Sequence, residues 1–339
     1  MDFSPARLQE VCAAFPRQRL VVIGDVMLDH LIVGEARRIS PEAPIPIVNF
    51  VNESHSPGGA ANVARNLAAL GSQVDLFGVT GTDAPADHLA AALTSCRVGA
   101  RGLLRDPARP TTVKTRITAQ RHQVVRLDRE TTLPLDRATA DAFAALWRPA
   151  LRGAAAVIIA DYAKGVVDQP LVDEVLAAAQ SLAVPVLIDP KPARPLDLRR
   201  CTALTPNRKE TFELAGLPDP GAAASPTDDQ ALLAAVARVQ TQHQPAELLV
   251  TLSEAGLLLV EQGSPPRHIP TVARQVFDVS GAGDTVIATF ALARAAGAPP
   301  LEAAIIANQA AGIVVAKTGT ATLSVRELLA EFARPPAGA

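Results

Sequence analysis

The stretch Asp-Val-Ser-Gly-Ala-Gly-Asp-Thr at residues 278–285 runs directly into the apolar segment VIATFALARAAG at 286–297. The small residues predict a turn, and the apolar segment predicts a buried helix that begins close to Asp284. Backbone N–H groups at a helix start, together with the helix dipole, can bind an anion. An acid at this position is also a good helix cap, so the stretch taken alone favours capping over catalysis.

Short apolar runs alternate with helical patterns through the rest of the 339-residue chain. Strands are predicted at 19–25, 74–81, 154–162, 185–191 and 247–253, and helices at 59–71, 168–183 and 227–241. This alternation predicts an α/β fold with a central, mostly parallel sheet and helices on both faces. Ligands of such sheets bind beyond the carboxyl ends of the strands.

Residues 31–52 and 111–130 break this rhythm, because they alternate like strands without helices between them. They predict a small antiparallel β layer beside the main sheet, which would form a lid. We expect one domain over residues 1–335 that includes this lid, followed by a frayed tail at 336–339.

The second lid segment predicts a hairpin about the sequence AQRH at 119–122. If its turn centres on Arg121, Arg116 and Arg126 face each other across the two strands. Directly opposed like charges destabilise a sheet, and a bound anion would relieve the repulsion. Asp128 or Glu130 could neutralise the pair instead, and the sequence leaves both interpretations open.

The composition argues against several classes of protein. The net charge is −2 and aromatic residues make up 3% of the chain, which disfavours binding to nucleic acid or to an anionic membrane. The three cysteines are far apart, so a disulfide framework or a structural zinc site is not expected. No apolar stretch is long enough to span a bilayer, and the N-terminus lacks a signal-peptide pattern. We therefore expect a cytoplasmic protein.

Asp284 and the backbone of 281–283 together suit phosphoryl transfer. The carboxylate could take the proton of an acceptor hydroxyl, while the N–H groups stabilise the transferred group. The chain has no GxxxxGK[ST] motif, and Val286 stands where GxGxxG requires its third glycine. A second glycine pair, Gly58 and Gly59, opens another helix; on its own it favours a tight turn over a ligand site.

Two segments resemble the paired signatures of the ribokinase-like (PfkB) sugar kinases: GGAANVARNLAALG at 58–71 and DVSGAGDTVIATFALA at 278–293. Further segments, above all RRISPEAPIPIV at 37–48 and ADYAKG at 160–165, resemble the D-glycero-β-D-manno-heptose-7-phosphate 1-kinases within that family. The resemblance runs from about residue 19 to 332. Ser280 departs from the threonine usual there, and the basic pair Arg208–Lys209 is also unusual.

The resemblance implies ATP-dependent phosphorylation of the anomeric hydroxyl of D-glycero-D-manno-heptose 7-phosphate. The product would be the 1,7-bisphosphate, a precursor of ADP-heptose and of the lipopolysaccharide core. Many such kinases are fused to an adenylyltransferase. The chain has no HxGH nucleotidyl-transfer motif, so we expect the stand-alone kinase type.

The resemblance also implies roles for individual residues. Asp284 would be the general base, with Gly281, Ala282 and Gly283 as the anion hole. Substrate binding is expected at Asp25, Asp29, Arg38, Gly58, Gly59, Asn62, Arg116, Arg126, Lys164 and Lys191. ATP binding is expected at Asn207, Glu210, Ser253, Glu254, Gly256 and Asn308, with Glu210 acting on Mg²⁺ through water. The segment KTGTATLS at 317–324 resembles a loop near a monovalent-cation site, and the lid resembles a homodimer contact.

Two other functions are compatible with this pattern. The chain could be a PfkB-type kinase for ribose, a fructose phosphate or a nucleoside; a basic cluster in the acceptor pocket would favour a phosphosugar instead. It could also be a non-catalytic sugar- or nucleotide-binding regulator, which the presence of Asp284 disfavours.

Overall fold

The computed structural model describes residues 4–120, 122–273 and 276–333. Its strands are β1 Arg19–Gly24, β2 Val26–Ile39, β3 Pro46–Gly59, β4 Gln73–Thr80, β5 Leu103–Arg105, β6 Val113–Ala119, β7 His122–Arg129, β8 Ala156–Ala160, β9 Val186–Asp189, β10 Ala203–Leu204, β11 Glu247–Thr251, β12 Leu257–Glu261 and β13 Arg267–Ile269. Its α-helices are α1 Pro5–Ala14, α2 Ala60–Ala69, α3 Ala84–Ser95, α4 Arg137–Trp147, α5 Gln169–Ser181, α6 Arg208–Ala215, α7 Gln230–His243, α8 Ala282–Ala295, α9 Pro300–Val314 and α10 Val325–Phe332.

Within these ranges, the main sheet has nine strands in the order β13-β12-β11-β10-β9-β8-β1-β4-β5. All neighbours from β11 to β5 are parallel, while β12 and β13 are added antiparallel at one edge. The predicted α/β fold is confirmed, and the five predicted strands correspond to β1, β4, β8, β9 and β11.

Helices cover both faces of this sheet because its strands are apolar on both sides. On β1, Leu20 and Val22 pack with α1, α2, α8 and α9, whereas Val21 and Ile23 pack with α4, α5 and α7. Aspartates begin several of the covering helices: Asp168, for example, accepts a hydrogen bond from the N–H of Leu171 at 2.9 Å at the start of α5. Local capping and burial thus agree on where these helices begin.

A second sheet, in the described part of the chain, has four strands in the order β3-β2-β6-β7. It confirms the predicted small β layer beside the main sheet, whose role as a lid stays a prediction. Its outer pairs are antiparallel, and its central pair, β2 with β6, is parallel. Arg116 pairs directly with Arg126, as the hairpin predicted. The predicted turn residue Arg121 and the tail at 336–339 lie outside the described residues.

Trp147, the one tryptophan of the sequence, is fully buried at the end of α4. It belongs to the core between the sheet and α4 and α5, together with Phe143 and Leu151. This core lies on the opposite face of the sheet from α2 and α8.

None of the helices within residues 4–120, 122–273 and 276–333 combines the length and apolar character needed to cross a bilayer.

Candidate active site

Asp284 lies in the first turn of α8, buried against α2 and the segment after β8. Its Oδ1 accepts a short hydrogen bond from the Tyr162 hydroxyl. Its Oδ2 accepts one from Asn62 Nδ2 at 2.6 Å. No side chain of the described chain caps α8, whose N-cap is Gly281. The capping interpretation of Asp284 is therefore wrong: its carboxylate faces two side chains from other elements.

Burial raises the pKa of Asp284 to about 6, because a charged carboxylate loses hydration inside the protein. The hydrogen bonds from Tyr162 and Asn62 oppose this rise. The nearby charge of Asp29 adds to it, and that of Arg65 reduces it. A carboxyl group with this pKa is ionised at neutral pH and still basic enough to accept a proton.

The glycines before and after Ala282 differ in their surroundings. Gly281 has φ +77°, and a Cβ there would lie 2.7 Å from Asn62 Nδ2. A Cβ on Gly283 would meet nothing within 4 Å. The turn therefore needs glycine at 281 for its backbone, whereas Gly283 leaves open space beside the helix start and Asp284.

Asp25 anchors the segment that carries Tyr162. It is 1% exposed, immediately after β1. Its Oδ2 accepts the N–H groups of Tyr162 and Lys164 at 2.9 and 3.0 Å, and its Oδ1 accepts that of Val166 at 3.0 Å. The contacts of Asp25 within the chain are thus structural, and they fix the position from which Tyr162 reaches Asp284.

Helix α2 contributes a polar face to the site. Asn66 accepts a hydrogen bond from the Thr285 hydroxyl at 2.9 Å, one helical turn along from the contact between Asn62 and Asp284. Asn62 Oδ1 is buried without a partner among the described residues. Arg65 donates to the carbonyl of Thr320. These contacts fasten α2 to the start of α8 and to the loop at 317–324.

The loop at 317–324 already holds two cationic side chains. Besides Arg65 at Thr320, Lys317 Nζ donates to the carbonyl of Thr322 at 2.8 Å. The monovalent-cation site suggested for this loop stays a prediction.

Asp29 lies on β2 opposite Ser56 and near the glycine pair at the end of β3. A Cβ on Gly58 would come within 2.5 Å of Asp29 Oδ2, so glycine is required there for close approach. Gly59 is the N-cap of α2. The structure thus brings Asp29, Gly58, Gly59 and Asn62 to the same junction between lid and main sheet.

The predicted phosphate-binding cations are paired with acids. Arg116 forms an ion pair with Asp29, and Arg126 forms one with Asp128 at 2.9 Å. Lys164 Nζ lies 2.7 Å from Glu130, and Lys191 Nζ lies 2.7 Å from Glu210. Arg126 therefore pairs with Asp128, one of the two acids of the alternative to a bound anion, whereas the partner of Arg116 is Asp29.

Arg38 lies apart from these residues. It is exposed near the far end of β2, nine residues along the strand from Asp29. At about 3.3 Å per residue this is roughly 30 Å of strand. The structure does not bring Arg38 to the junction where Asp29 and Asn62 lie.

Asn207 and Glu210 form a capping box at the start of α6. Asn207 accepts the N–H of Glu210 at 2.9 Å, and Glu210 Oε2 accepts the N–H of Asn207 at 3.0 Å. Asp189, at the end of β9, lies nearby and is half-buried. Burial raises the pKa of Asp189 well above its usual range, and the charges of Glu210 and Asp284 raise it further. These carboxylates share one electrostatic environment, which a divalent cation with oxygen ligands would relieve.

The remaining predicted nucleotide residues follow β11 or lie on α9. Ser253 and Glu254 are exposed in a short 3₁₀ turn after β11, and Gly256 ends that turn with φ +88°. Asn308, buried on α9, donates to the carbonyl of Pro270 at 2.8 Å. The role of these residues in nucleotide binding stays a prediction.

Three residues of this site have no role in the sequence interpretation: Tyr162, Arg65 and Asp189. Tyr162 is the one tyrosine of the sequence and lies in ADYAKG, directly after a buried strand. Arg65 is the one charged residue in a helix of otherwise small or apolar residues and asparagine. Tyr162 and Arg65 are therefore unusual residues that the sequence alone could have singled out. Their partners could not be predicted, because they lie more than 100 residues away along the chain.

Comparison with known proteins places this site in context. Residues 17–327 match the family model described as pfkB family carbohydrate kinase. The chain is 41% identical over 324 residues to Bifunctional protein HldE of Magnetococcus marinus, which covers 95% of this chain and 65% of that protein. It is 42% identical over 325 residues to Bifunctional protein HldE of Mesorhizobium japonicum, covering 96% and 64%. The chain thus spans about two thirds of the length of these curated relatives.

Solved structures share the fold. Ribokinase of Arabidopsis thaliana, complexed with ribose and ATP, superposes with a TM-score of 0.74 at 23% identity, covering 94% of this chain and 99% of that one. Phosphofructokinase-2 of Escherichia coli, in complex with potassium, gives a TM-score of 0.73 at 18% identity, covering 94% and 99%. At these identities the likeness concerns the fold alone.

Proposed function

The chain belongs to the PfkB family of carbohydrate kinases, and from this membership we propose that it transfers the γ-phosphoryl group of ATP to the anomeric hydroxyl of D-glycero-D-manno-heptose 7-phosphate. The product would be the 1,7-bisphosphate, on the route to ADP-heptose and the lipopolysaccharide core. We also propose that residues 1–335 act as one kinase domain, and that the protein works in the cytoplasm, where ATP is available.

The observation that carries the chemical part is the environment of Asp284. A buried carboxylate with a pKa of about 6 lies beside open space at a helix N-terminus. In the proposed reaction Asp284 takes the proton of the acceptor hydroxyl, and Tyr162 and Asn62 orient its two oxygens. The N–H groups of 281–283 then stabilise the charge on the phosphoryl group in transfer.

The nucleotide is proposed to lie along the surface formed by Asn207, Ser253, Glu254, Gly256 and Asn308. Mg²⁺ would be held by Glu210 through water, since this ion takes oxygen ligands and retains several waters. Bound Mg²⁺ would offset negative charge on the phosphates. The shared carboxylate environment of Asp189, Glu210 and Asp284 supports a cation in this region.

The acceptor is the finer part of the proposal, and the resemblance of 37–48 and 160–165 to heptose-phosphate kinases supports it. Lys164, Lys191 and Arg116 are the cations proposed to meet its phosphate. Their ion pairs with Glu130, Glu210 and Asp29 would have to open. Because each of these cations already has a partner, a kinase for another sugar or phosphosugar is the second candidate.

A coupled assay of ADP release over a panel of acceptors tests both candidates. The panel contains heptose 7-phosphate, the same sugar without its phosphate, ribose and fructose 6-phosphate. We expect the highest kcat/KM for heptose 7-phosphate, and no turnover of a fifth compound, the heptose 7-phosphate analogue that lacks the anomeric hydroxyl. Asp284→Asn is the matched control, which should lower kcat about a hundredfold or more.

Each other outcome has a definite meaning. A higher kcat/KM for ribose or fructose 6-phosphate would replace the heptose acceptor by the second candidate. If Asp284→Asn turns over at the normal rate, the role of this carboxylate as base is wrong. If no sugar elicits ADP release, the chain is a binding protein that retains the kinase fold.

A further inference from the structure

Histidines gather on the lid sheet, on the face opposite to the one that carries Asp29. On the paired strands β2 and β3, His30 lies directly opposite His55, and Ile32 lies opposite Glu53. Side chains alternate between the two faces of a strand, so His30, His55 and Glu53 share one face and Asp29 lies on the other. His88 of α3 stacks on His55 with ring centroids 4.5 Å apart, and His55 stacks on His30 at the same separation.

We propose that His30, Glu53 and His55 form a binding site for one divalent transition-metal ion of the zinc type. One ligand atom from each of the three side chains lies within 4.8 Å of the others. Zinc bonds of about 2.0–2.2 Å would place the ligand atoms of a tetrahedral site roughly 3.5 Å apart. The ligand atoms of the three side chains therefore need to approach one another by little more than about an ångström.

The donor set selects the class of ion. Two imidazole nitrogens and one carboxylate oxygen suit zinc, copper or nickel, whereas Mg²⁺ prefers oxygen ligands alone. Three protein ligands leave a fourth position for water. The ion proposed here thus differs in chemistry from the Mg²⁺ that accompanies ATP.

The surroundings of the three residues favour metal entry and orientation. The Glu53 side chain is 48% exposed, so an ion can reach the site from solvent, and that of His30 is 18% exposed. Without metal, His30 Nε2 and Glu53 Oε2 lie 2.7 Å apart, and the ion would replace this hydrogen bond. The other ring nitrogen, His30 Nδ1, lies 3.4 Å from the Thr115 hydroxyl on β6, a contact of the kind that orients ligating imidazoles.

Binding would join β2 to β3 immediately behind Asp29 and its cross-strand neighbour Ser56. The ion would therefore stiffen the strand pair that carries the acceptor-facing residues, without entering the reaction.

Zinc titration of the full chain, freed of metal with EDTA and without ATP, tests the site by calorimetry. We expect about one Zn²⁺ per chain, undisplaced by excess MgCl₂. At roughly a hundredfold excess over Kd, the melting temperature should rise by about 4 °C. His30→Gln, His55→Gln and Glu53→Gln should each weaken binding, the histidine variants by about a hundredfold or more.

His122→Gln is the matched control, because His122 is an exposed histidine on β7 of the same sheet. Its zinc affinity should equal that of the wild type. Metal-free melting curves establish whether each variant is folded. If a histidine variant does not fold, Glu53→Gln still tests the site, because Glu53 is exposed. Absence of zinc binding to the wild type overturns the proposal, as does wild-type affinity in the cluster variants.

Discussion

At the scale of the residue, one hydrogen bond from Tyr162 lowers the pKa of Asp284. The tyrosine hydroxyl stabilises the ionised carboxylate and so holds down a pKa that burial raises to about 6. Hydrogen bonds to charged groups contribute about 1.5–3 kcal/mol, which corresponds to roughly one or two pKa units. Because the base must be ionised, turnover should fall as the pH drops below the pKa of Asp284.

Tyr162→Phe should therefore move the acidic limb of the pH–rate profile upward, from near pH 6 by about one unit or more. The profile of kcat/KM against pH measures this shift. Thr289→Val is the control, because Thr289 also has a buried hydroxyl on α8 but one without a partner in the described chain. An acidic limb that stays in place in Tyr162→Phe would contradict the assigned hydrogen bond.

The buried carboxylate of Asp284 also lowers the free energy of unfolding at neutral pH. The folded-state pKa of Asp284 is raised from 3.8 to about 6, so the folded protein binds the proton more tightly than the unfolded chain. Stability is therefore lost as the pH rises from about 4 through about 6, by up to roughly 3 kcal/mol at neutral pH. An uncharged isostere should recover part of it.

Asp284→Asn should thus melt up to about 4 °C above the wild type near neutral pH, with little difference near pH 4 and below. A rotation of the Asn62 amide would let its unpartnered Oδ1 accept from the new side chain. Melting curves at the two pH values provide the measurement. Asp284→Ala, which leaves two donors unpaired, should melt below the wild type; a lower melting temperature for Asp284→Asn at neutral pH would refute the explanation.

At this scale the sequence predicted Asp284 but not its partners. The GAGD pattern is local, so Asp284 could be singled out as the proposed base within one helix turn. Tyr162 and Asn62 reach it from 122 and 222 residues away along the chain. Such pairs depend on how β8, α2 and α8 pack against one another, and local sequence patterns do not predict that packing.

At the scale of the element, the two glycines at the start of α8 have different roles. Gly281→Ala requires a left-handed backbone and a Cβ 2.7 Å from Asn62 Nδ2, so we expect a loss of about 1–2 kcal/mol in stability. Gly283→Ala adds a methyl group to open space within the helix. It should keep or slightly raise stability, by about 0.5–1 kcal/mol, while lowering kcat because the methyl group occupies the space for the phosphoryl group.

Melting temperature and kcat, measured for both variants, separate these effects. Each variant serves as the control of the other, since both add one methyl group within three residues. Normal kcat in Gly283→Ala would remove the 283 side of the anion hole from the proposal. Wild-type stability in Gly281→Ala would show that the turn does not need glycine.

The elements themselves followed from the sequence where burial is continuous. Runs such as VVIG and AVIIA are apolar and β-branched on both faces, so their strands were predictable. The lid was harder. Its first two strands extend to Val26 and Gly59, past the predicted ends at 31 and 52. Pairing with neighbours, rather than composition, decides where those strands end.

At the scale of the whole molecule, the lid exposes a set of large apolar side chains. Ile39, Phe50 and Leu127 are each more than 60% exposed on the second sheet. A contiguous exposed apolar surface marks an interface more often than free surface, and these three side chains share one small sheet. We therefore keep the prediction that two chains associate through the lid.

Phe50→Asp and Leu127→Asp should convert such a dimer into monomers, because each would place a carboxylate in an apolar interface. Light scattering at working concentration measures the mass. Leu182→Asp, at an exposed leucine after α5, is the control and should leave the mass unchanged. A wild-type protein that is already monomeric would contradict the prediction.

The overall topology lies beyond what local patterns predict. The parallel pairing of β2 with β6 joins segments about 85 residues apart and makes one four-stranded lid from two separate excursions of the chain. The sequence predicted both segments, 31–52 and 111–130, as strands. It did not predict their pairing, because strand order is set by the packing of the complete sheet.

The position of Trp147 has a practical consequence for all of these variants. Since this indole is the single one in the chain and is fully buried at the end of α4, the tryptophan fluorescence has one source. An emission maximum that stays in the blue would indicate that the core beneath α4 and α5 is intact. A variant with slow turnover and unshifted emission has lost chemistry, whereas one with a red shift has lost structure.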